Sequence, residues 1–240
     1  MSLAQQRILI IGGSSGMGLA SARRLISAGA DVFIAGRDAT KLQAAVQSLE
    51  GKAAGIAADT TDPASLAALM ERVGRLDHLV QAAGGTPAWG PFAQTTPEAL
   101  RLALESKLIG YWQSLQAALP RMRKDGSVVM LAGAASRAAM NGTAGLAAVN
   151  GAITQMAQTL ARELAPLRVN VVSPGLVDTP AYDGMPAQAK SAMFAAAAKS
   201  LPVGRTGRSE DIAAAVELLV ANTFATGVLF DLDGGARMPL

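Results

Sequence analysis

The sequence from Arg7 to Gly18, RILIIGGSSGMG, constrains the fold more than any other part of the chain. Its apolar run, Ile8 to Ile11, is typical of a short strand buried on both faces of a parallel sheet. Glycines with the spacing Gly-x-x-x-Gly-x-Gly follow, and apolar positions from Leu19 to Ile26 then repeat as in a helix. A strand, a glycine turn and the open N–H groups of a helix start form a pyrophosphate site, so this segment predicts nucleotide binding. The residues expected there are Gly12, Ser14, Ser15, Gly16, Met17 and Gly18.

The composition excludes several classes of function. Half of the 240 residues are apolar, enough for a sizeable core, and α/β folds of this length are commonly one domain. The absence of cysteine excludes disulfides, thiolate nucleophiles and cysteine metal sites, and with one histidine no metal site is predicted. We interpret that residue, His78, as an exposed strand residue.

Charge and hydropathy bear on partners and location. The net charge of +3 comes from scattered residues, and the densest basic group, Arg121, Arg123 and Lys124, is placed at a predicted helix end, where cations are favoured. No nucleic-acid partner is therefore predicted. Neither a signal pattern at the N-terminus nor an apolar run long enough for a bilayer is found, so we expect a cytoplasmic protein with a small-molecule substrate and no membrane partner.

Strand-like and helix-like patterns alternate along the chain. Predicted strands are Ile8–Ile11, Asp31–Ala35, Ala53–Ala58, Asp77–Ala82, Ser127–Leu131, Val169–Val172 and Val228–Leu232. Predicted helices follow the first glycine turn, begin near Ala39, Pro63 and Ser209, and span Pro97–Leu119, Ala144–Leu164 and Ala187–Ser200. This order predicts one doubly wound Rossmann-type α/β domain over residues 1–240, with a mostly parallel seven-stranded sheet.

The end of the second predicted strand indicates which dinucleotide is bound. About twenty residues past the glycine turn, such folds contact the adenosine ribose. An acidic side chain there would accept bonds from both ribose hydroxyls and repel a 2′-phosphate, but the sequence has Gly36 and Arg37. The guanidinium of Arg37 suits a phosphate, whereas Asp38 is interpreted as a helix N-cap. We therefore predict NADP(H) rather than NAD(H).

Several segments, in order and correctly spaced, resemble the short-chain dehydrogenase/reductase family over nearly the whole chain. They are the glycine loop, Asp59, VQAAG at Val80–Gly84, VNVVSPGLVDTP at Val169–Pro180, and LPVGRTGRSEDIA and LDGG in the C-terminal third. The resemblance implies a nicotinamide-dependent oxidoreductase, with Asp59 at adenine and Thr179 at the nicotinamide carboxamide. Further cofactor contacts that it implies are Thr60, Ala83, Gly84, Pro174, Gly175 and Val177. It also implies a homo-oligomer, a dimer or a tetramer, paired through the two long helices.

The same resemblance places other residues at all four catalytic positions of the family. The Tyr-x-x-x-Lys motif, on the helix after the fifth strand, corresponds to Leu146 and Asn150. The serine position falls on Gly133, and the helix asparagine falls on Lys107. Ketone reduction develops negative charge on oxygen, which needs a hydrogen-bond donor and a proton, and leucine supplies neither.

Three interpretations remain open. In the first, the proton donor is at another position. In the second, the acceptor is already activated, as in an iminium or a quinone. In the third, the chain is a sensor or scaffold that binds the nucleotide without turning it over. Candidate catalytic residues are Ser136, next to Arg137, and Lys107, whose pKa an apolar site would lower. Asn150 keeps an amide that can donate to a ribose hydroxyl. Tyr182 is interpreted as a lid residue, and the Ala- and Met-rich segment after it predicts an apolar substrate pocket.

Overall fold

The structure is a computed structural model that describes residues 3–85 and 87–238. Its strands are β1 (Arg7–Ile11), β2 (Asp31–Gly36), β3 (Ala53–Ala57), β4 (Leu76–Gln81), β5 (Met122–Leu131), β6 (Arg168–Pro174), β7 (Val177–Asp178), β8 (Gly207–Arg208) and β9 (Leu229–Leu232). Seven of them form one sheet in the order β3-β2-β1-β4-β5-β6-β9, and every neighbouring pair is parallel. The predicted doubly wound α/β fold is confirmed.

Helices cover both faces of this sheet. They are α1 (Gly16–Ser27), α2 (Ala39–Ser48), α3 (Pro63–Val73), α4 (Pro97–Ala103), α5 (Gly110–Ala118), α6 (Ala144–Glu163), α7 (Ala187–Ser200) and α8 (Ser209–Ala221). Successive strand side chains point to opposite faces, so β1 serves two cores. Ile8 and Ile10 pack with α1, α2 and α8, whereas Leu9 and Ile11 pack with α3, α5 and α6.

The strand order reverses at β1. The chain runs outward from β1 to β3 and then returns to β4 on the other side of β1. In open parallel sheets, ligands bind beyond the carboxyl ends of the strands at such a reversal. The topology therefore brings the glycine loop after β1, the loop after β4 and the end of β6 to one edge.

Three local features differ from the sequence predictions. The helical run that starts at Pro97 contains a π-helical turn, Leu104–Ile109, between α4 and α5. A parallel pairing of β7 with β8 adds a small second sheet, whose two-residue strands leave no periodic signal. β5 begins at Met122, so the placement of Arg123 and Lys124 at a helix end was wrong, and both lie on this strand. The strand position of Arg123 is stabilised by an ion pair with Asp77, whose Oδ1 lies 3.1 Å from the guanidinium.

The prediction of an exposed His78 was also wrong. The side chain is buried in β4, with Nδ1 2.8 Å from Ser127 Oγ and Nε2 2.6 Å from Gln6 Oε1. Both ring nitrogens thus have partners, which allows an imidazole to occupy a strand position that the sequence pattern assigns to solvent. Burial lowers the pKa of His78 to about 4, so it is neutral at pH 7.

A buried arginine closes one end of α8. The two terminal nitrogens of Arg168, at the start of β6, donate to the carbonyl oxygens of Leu219, Val220 and Asn222, each at 2.8 Å. The last carbonyls of a helix have no partners within the helix, so a cation there satisfies them and also opposes the helix dipole. Arg168 therefore fixes α8 to the sheet.

Candidate active site

The glycine loop leaves the start of α1 open to an anion. Gly12 and Gly16 have φ angles of 85° and 50°, which favour glycine. A Cβ on Gly18 would lie only 2.1 Å from the carbonyl oxygen of Gly12, so the helix starts directly against the loop. Among the described residues, no side chain caps α1 at Ser15, and its first turn carries no acidic residue. These N–H groups and the helix dipole fit a dinucleotide pyrophosphate.

The other predicted cofactor residues surround this loop. A Cβ on Gly12 would lie 2.4 Å from Ala83 N, and one on Gly16 would lie 3.4 Å from Thr179 Cβ. The structure thus brings the ends of β1, β4 and β6 together, as the sequence predicts. Pro174 ends β6, Gly175 follows, and Val177 is buried in β7. Ser14 lies beside Gly36, with Oγ 3.2 Å from where a Cβ on that glycine would be. Met17 packs its side chain on the core.

Arg37 and Asp59 lie at the end of β2 and just beyond β3. The Arg37 guanidinium is exposed and has no hydrogen bond or ion pair within residues 3–85 and 87–238. Asp59 accepts hydrogen bonds from Thr61 N and Thr61 Oγ1 at 2.9 and 2.8 Å, and these bonds hold its pKa below the usual value. Thr60 faces α5 instead, with Oγ1 2.7 Å from where a Cβ on Gly110 would be.

Lys107 is the charged group at the centre of the site. It lies on the π-helical turn, and its Nζ donates to Asn150 Oδ1 at 2.8 Å and to the Ala132 carbonyl oxygen at 3.0 Å. Its methylene chain runs beside Gly84, where a Cβ would come within 3.0 Å of Cδ. Burial alone lowers the pKa of Lys107 to about 8. The sequence placed Lys107 in the site, but gave no signal for its contact with Asn150.

Gly133 and Leu146, which the resemblance aligns with the family's serine and tyrosine, carry no hydrogen-bond donor in their side chains. A Cβ on Gly133 would lie 2.9 Å from Asn150 Nδ2, so Asn150 fills the space that a serine would take. Leu146 is partly buried near the start of α6. Ser136 Oγ is shielded and has no hydrogen-bond partner within the described residues. Arg137 is engaged elsewhere, by Asp231 Oδ2 at 2.9 Å, and so does not support an oxyanion at Ser136.

Both tyrosines of the chain are held by contacts of their own. Tyr111 is fully buried, its hydroxyl donates to the Leu131 carbonyl oxygen, and burial raises its pKa far above the usual value. Tyr182 packs edge-on against two rings, Trp89 at 5.9 Å and Phe194 at 5.4 Å between centroids. These rings come from the loop after β4 and from α7. Neither partner of Tyr182 was predicted from the sequence.

The contacts of Gln81, which lies within the VQAAG segment, could also not be predicted from the sequence. Gln81 is fully buried at the end of β4, and its Nε2 donates to Tyr111 O and Ser114 Oγ at 2.8 and 2.7 Å. It therefore attaches α5 to β4, directly after the π-helical turn. The available signal was a glutamine directly after the apolar pair Leu79 and Val80.

No helix within the described residues is both long and apolar enough to cross a membrane. In that same part of the chain, no group of three or more His, Asp or Glu side chains is placed to hold a metal ion.

Comparison with known proteins identifies relatives over nearly the full length. A family model described as enoyl-(acyl carrier protein) reductase matches residues 12–237. The chain is 35% identical to a Streptomyces violaceoruber protein assigned as ketoacyl reductase 2 of the granaticin polyketide synthase, over 96% of this chain and 95% of that one. A solved small-chain dehydrogenase in complex with NADPH has a TM-score of 0.86 and 30% identity, covering 98% of this chain and 100% of that one. A Brucella melitensis protein titled short-chain dehydrogenase/reductase has a TM-score of 0.88 and 31% identity, covering 100% of each chain.

Proposed function

The chain belongs to the short-chain dehydrogenase/reductase family, and we propose that it is an NADP(H)-dependent member whose proton donor is not the family's tyrosine. The observation that carries this proposal is the start of α1 at the glycine loop, combined with the guanidinium of Arg37, both of which lack side-chain partners among the residues that the structure describes. Because Leu146 offers no proton, the acid must come from elsewhere or the acceptor must need little help.

Different residues of the site would bind different parts of the dinucleotide. Backbone N–H groups from Gly12 to Gly18 would hold the pyrophosphate, Arg37 the 2′-phosphate, and Asp59 the adenine. Thr179 and Asn150 would orient the nicotinamide end through hydrogen bonds. When bound, the dinucleotide supplies a hydride to a substrate carbon. The rings of Tyr182, Trp89 and Phe194 would cover an apolar substrate and exclude water.

Single-turnover oxidation of bound NADPH tests this function. Protein saturated with NADPH is mixed with a ketone, a quinone or an iminium compound, and the loss of cofactor fluorescence is followed. We expect oxidation with at least one acceptor class, whereas denatured protein gives none. Tight NADPH binding with no oxidation by any class would contradict the oxidoreductase and support the sensor or scaffold alternative.

Cofactor preference depends on Arg37 and is a separate prediction. A charge-assisted contact with the 2′-phosphate contributes roughly 1.5–3 kcal/mol, so Arg37→Ala should weaken NADPH binding about tenfold to hundredfold. NADH has no such phosphate, and its affinity should stay unchanged. Titration calorimetry of both cofactors measures this, with Arg72→Ala on α3 as the exposed-arginine control. Equal NADPH and NADH affinities in the unsubstituted protein would refute the preference.

We propose a homo-oligomer, a dimer or a tetramer. Leu102, Ile109 and Trp112 are exposed large apolar side chains on the helical run from Pro97 to Ala118, which the family resemblance places at an interface. Burial of this face against a second copy would remove apolar area from water. Light scattering at micromolar concentration is expected to give the mass of a dimer or a tetramer of this 24.4 kDa chain, and a monomeric mass would refute the assembly.

A further inference from the structure

Lys107 and Asn150 occupy each other's positions when the chain is aligned with the family that it resembles. By the family resemblance, the asparagine belongs on the helix after β4 and the lysine on α6; here the lysine is on the first and the asparagine on the second. The exchanged side chains still meet, with Lys107 Nζ 2.8 Å from Asn150 Oδ1. The site therefore keeps its ammonium group, but presents it from the opposite helix.

The Lys107 ammonium donates hydrogen bonds to neutral groups, and one of its N–H groups has no acceptor among the described residues. Three N–H bonds are available, and Asn150 Oδ1 and the Ala132 carbonyl oxygen take two of them. The groups in contact with it are uncharged: the Ala132 carbonyl oxygen directly after β5, Asn150 on α6, and Gly84 in the loop after β4. Among the described residues, no carboxylate forms an ion pair with it. The third N–H and the full positive charge are thus left for a ligand.

The π-helical turn explains how Lys107 reaches this place. An extra residue in a helical turn shifts the positions that follow, and such turns are frequent at functional sites. Tyr111, the next residue on the same face, is fixed by its bond to the Leu131 carbonyl oxygen, while Lys107 is fixed by the adjoining carbonyl of Ala132. Two consecutive carbonyls, those of the last residue of β5 and of the residue after it, thereby orient the turn.

We propose that Lys107 Nζ is the proton donor of this enzyme and that its substrate is a neutral carbonyl compound. This inference rests on the proposed function. The carbonyl carbon takes two electrons and one hydrogen from the reduced nicotinamide nucleotide, the C=O π bond breaks, and the oxygen takes a proton from the ammonium. An alcohol and a neutral amine result, and the amine regains its proton from water. An iminium substrate is disfavoured, because its positive charge would be repelled by the ammonium.

A purely structural role for Lys107 makes different predictions. A lysine that only ties the π-helical turn to β5 and α6 would affect folding and cofactor affinity, but would not impose a pH profile. A proton donor must be protonated before reaction. Reduction should therefore be fastest below pH 8 and should fall as the pH rises through about 8, where Lys107 loses its proton.

Three variants separate these roles. Lys107→Met removes the charge at similar length, Lys107→Arg keeps a charge that cannot be given up, and Lys124→Met removes an exposed lysine at the other end of β5. For ketone or aldehyde reduction we expect Lys107→Met and Lys107→Arg to lose about 10²- to 10⁴-fold in kcat and kcat/KM alike, with Lys124→Met unchanged. The dissociation constant for NADPH should stay within about threefold in all three.

A readout without turnover complements the kinetics. Trace acetylation by acetic anhydride, followed by peptide mass mapping, reports the neutral fraction of each amine. Labelling of Lys107 should rise through about pH 8, well below the range in which an unperturbed lysine side chain titrates, about 10.4. Labelling of Lys107 only at the pH of ordinary lysines would overturn the proposal.

The failure of this inference differs from the failure of the proposed function. Lys107→Met or Lys107→Arg that binds NADPH and still reduces ketones at the unsubstituted rate would overturn the lysine donor and leave the oxidoreductase standing. If no acceptor class oxidises bound NADPH in the unsubstituted protein, the proposed function fails, and the lysine donor fails with it.

Discussion

Gly18→Ala is expected to abolish tight binding of NADPH. Its Cβ would lie 2.1 Å from the carbonyl oxygen of Gly12, a backbone atom that cannot rotate away. The loop or the first turn of α1 must therefore move, and the N–H groups that would hold the pyrophosphate lose their alignment. We expect affinity to fall by at least about 100-fold, which corresponds to about 2.7 kcal/mol. Fluorescence titration with NADPH measures the change.

Gly151→Ala is the matched control for this prediction. Gly151 is also a helical glycine, on α6, but a Cβ there would meet nothing within 4 Å. Alanine in a helix interior is favoured over glycine, so this variant should gain roughly 0.5–1 kcal/mol of unfolding free energy and bind NADPH normally. Normal cofactor affinity in Gly18→Ala would show that the glycine loop does not hold the dinucleotide.

Arg168→Met should cause the largest loss of stability among the substitutions considered. The change leaves the carbonyl oxygens of Leu219, Val220 and Asn222 without their donor in a buried position. Buried unsatisfied groups cost roughly 1–3 kcal/mol each, so we expect a loss of about 3 kcal/mol or more. For a chain of this length that lowers Tm by roughly 6–12 °C, measurable by calorimetry.

The control for Arg168 is Arg162→Met, at an exposed position on α6. It removes the same charge without uncovering carbonyl oxygens, and its Tm should stay within about 2 °C. A similar Tm for both variants would mean that the end of α8 obtains other donors, and the capping role of Arg168 would be refuted.

The fold could be predicted from the sequence because its signals are local. Four consecutive apolar residues before a glycine turn indicate a buried parallel strand, and Asp38 and Asp62 mark helix starts at which both side chains accept a backbone hydrogen bond. β7 and β8 could not be predicted in this way, since each has two residues and depends on the other for its hydrogen bonds.

The residues of the candidate site could be predicted from the sequence, but the contacts between them could not. Glycine spacing and the family resemblance placed the cofactor residues, but the contact between Lys107 and Asn150 joins residues 43 positions apart. The register that brings them together depends on the π-helical turn at Leu104–Ile109, where the sequence pattern predicts one continuous helix from Pro97 to Leu119. The prediction that His78 is exposed was wrong for a related reason, because its burial depends on Gln6 and Ser127 from distant segments.

The ring contact between Trp89 and Tyr182 gives the protein an optical signal of its own. The chain has two tryptophans, and the other, Trp112, lies on α5. Indole emission responds to the polarity and the aromatic neighbours around the ring, so separation of the segment around Tyr182 from the loop after β4 would alter the emission of Trp89. With Trp112 replaced by phenylalanine, stopped-flow emission would time the entry of substrate without any attached dye.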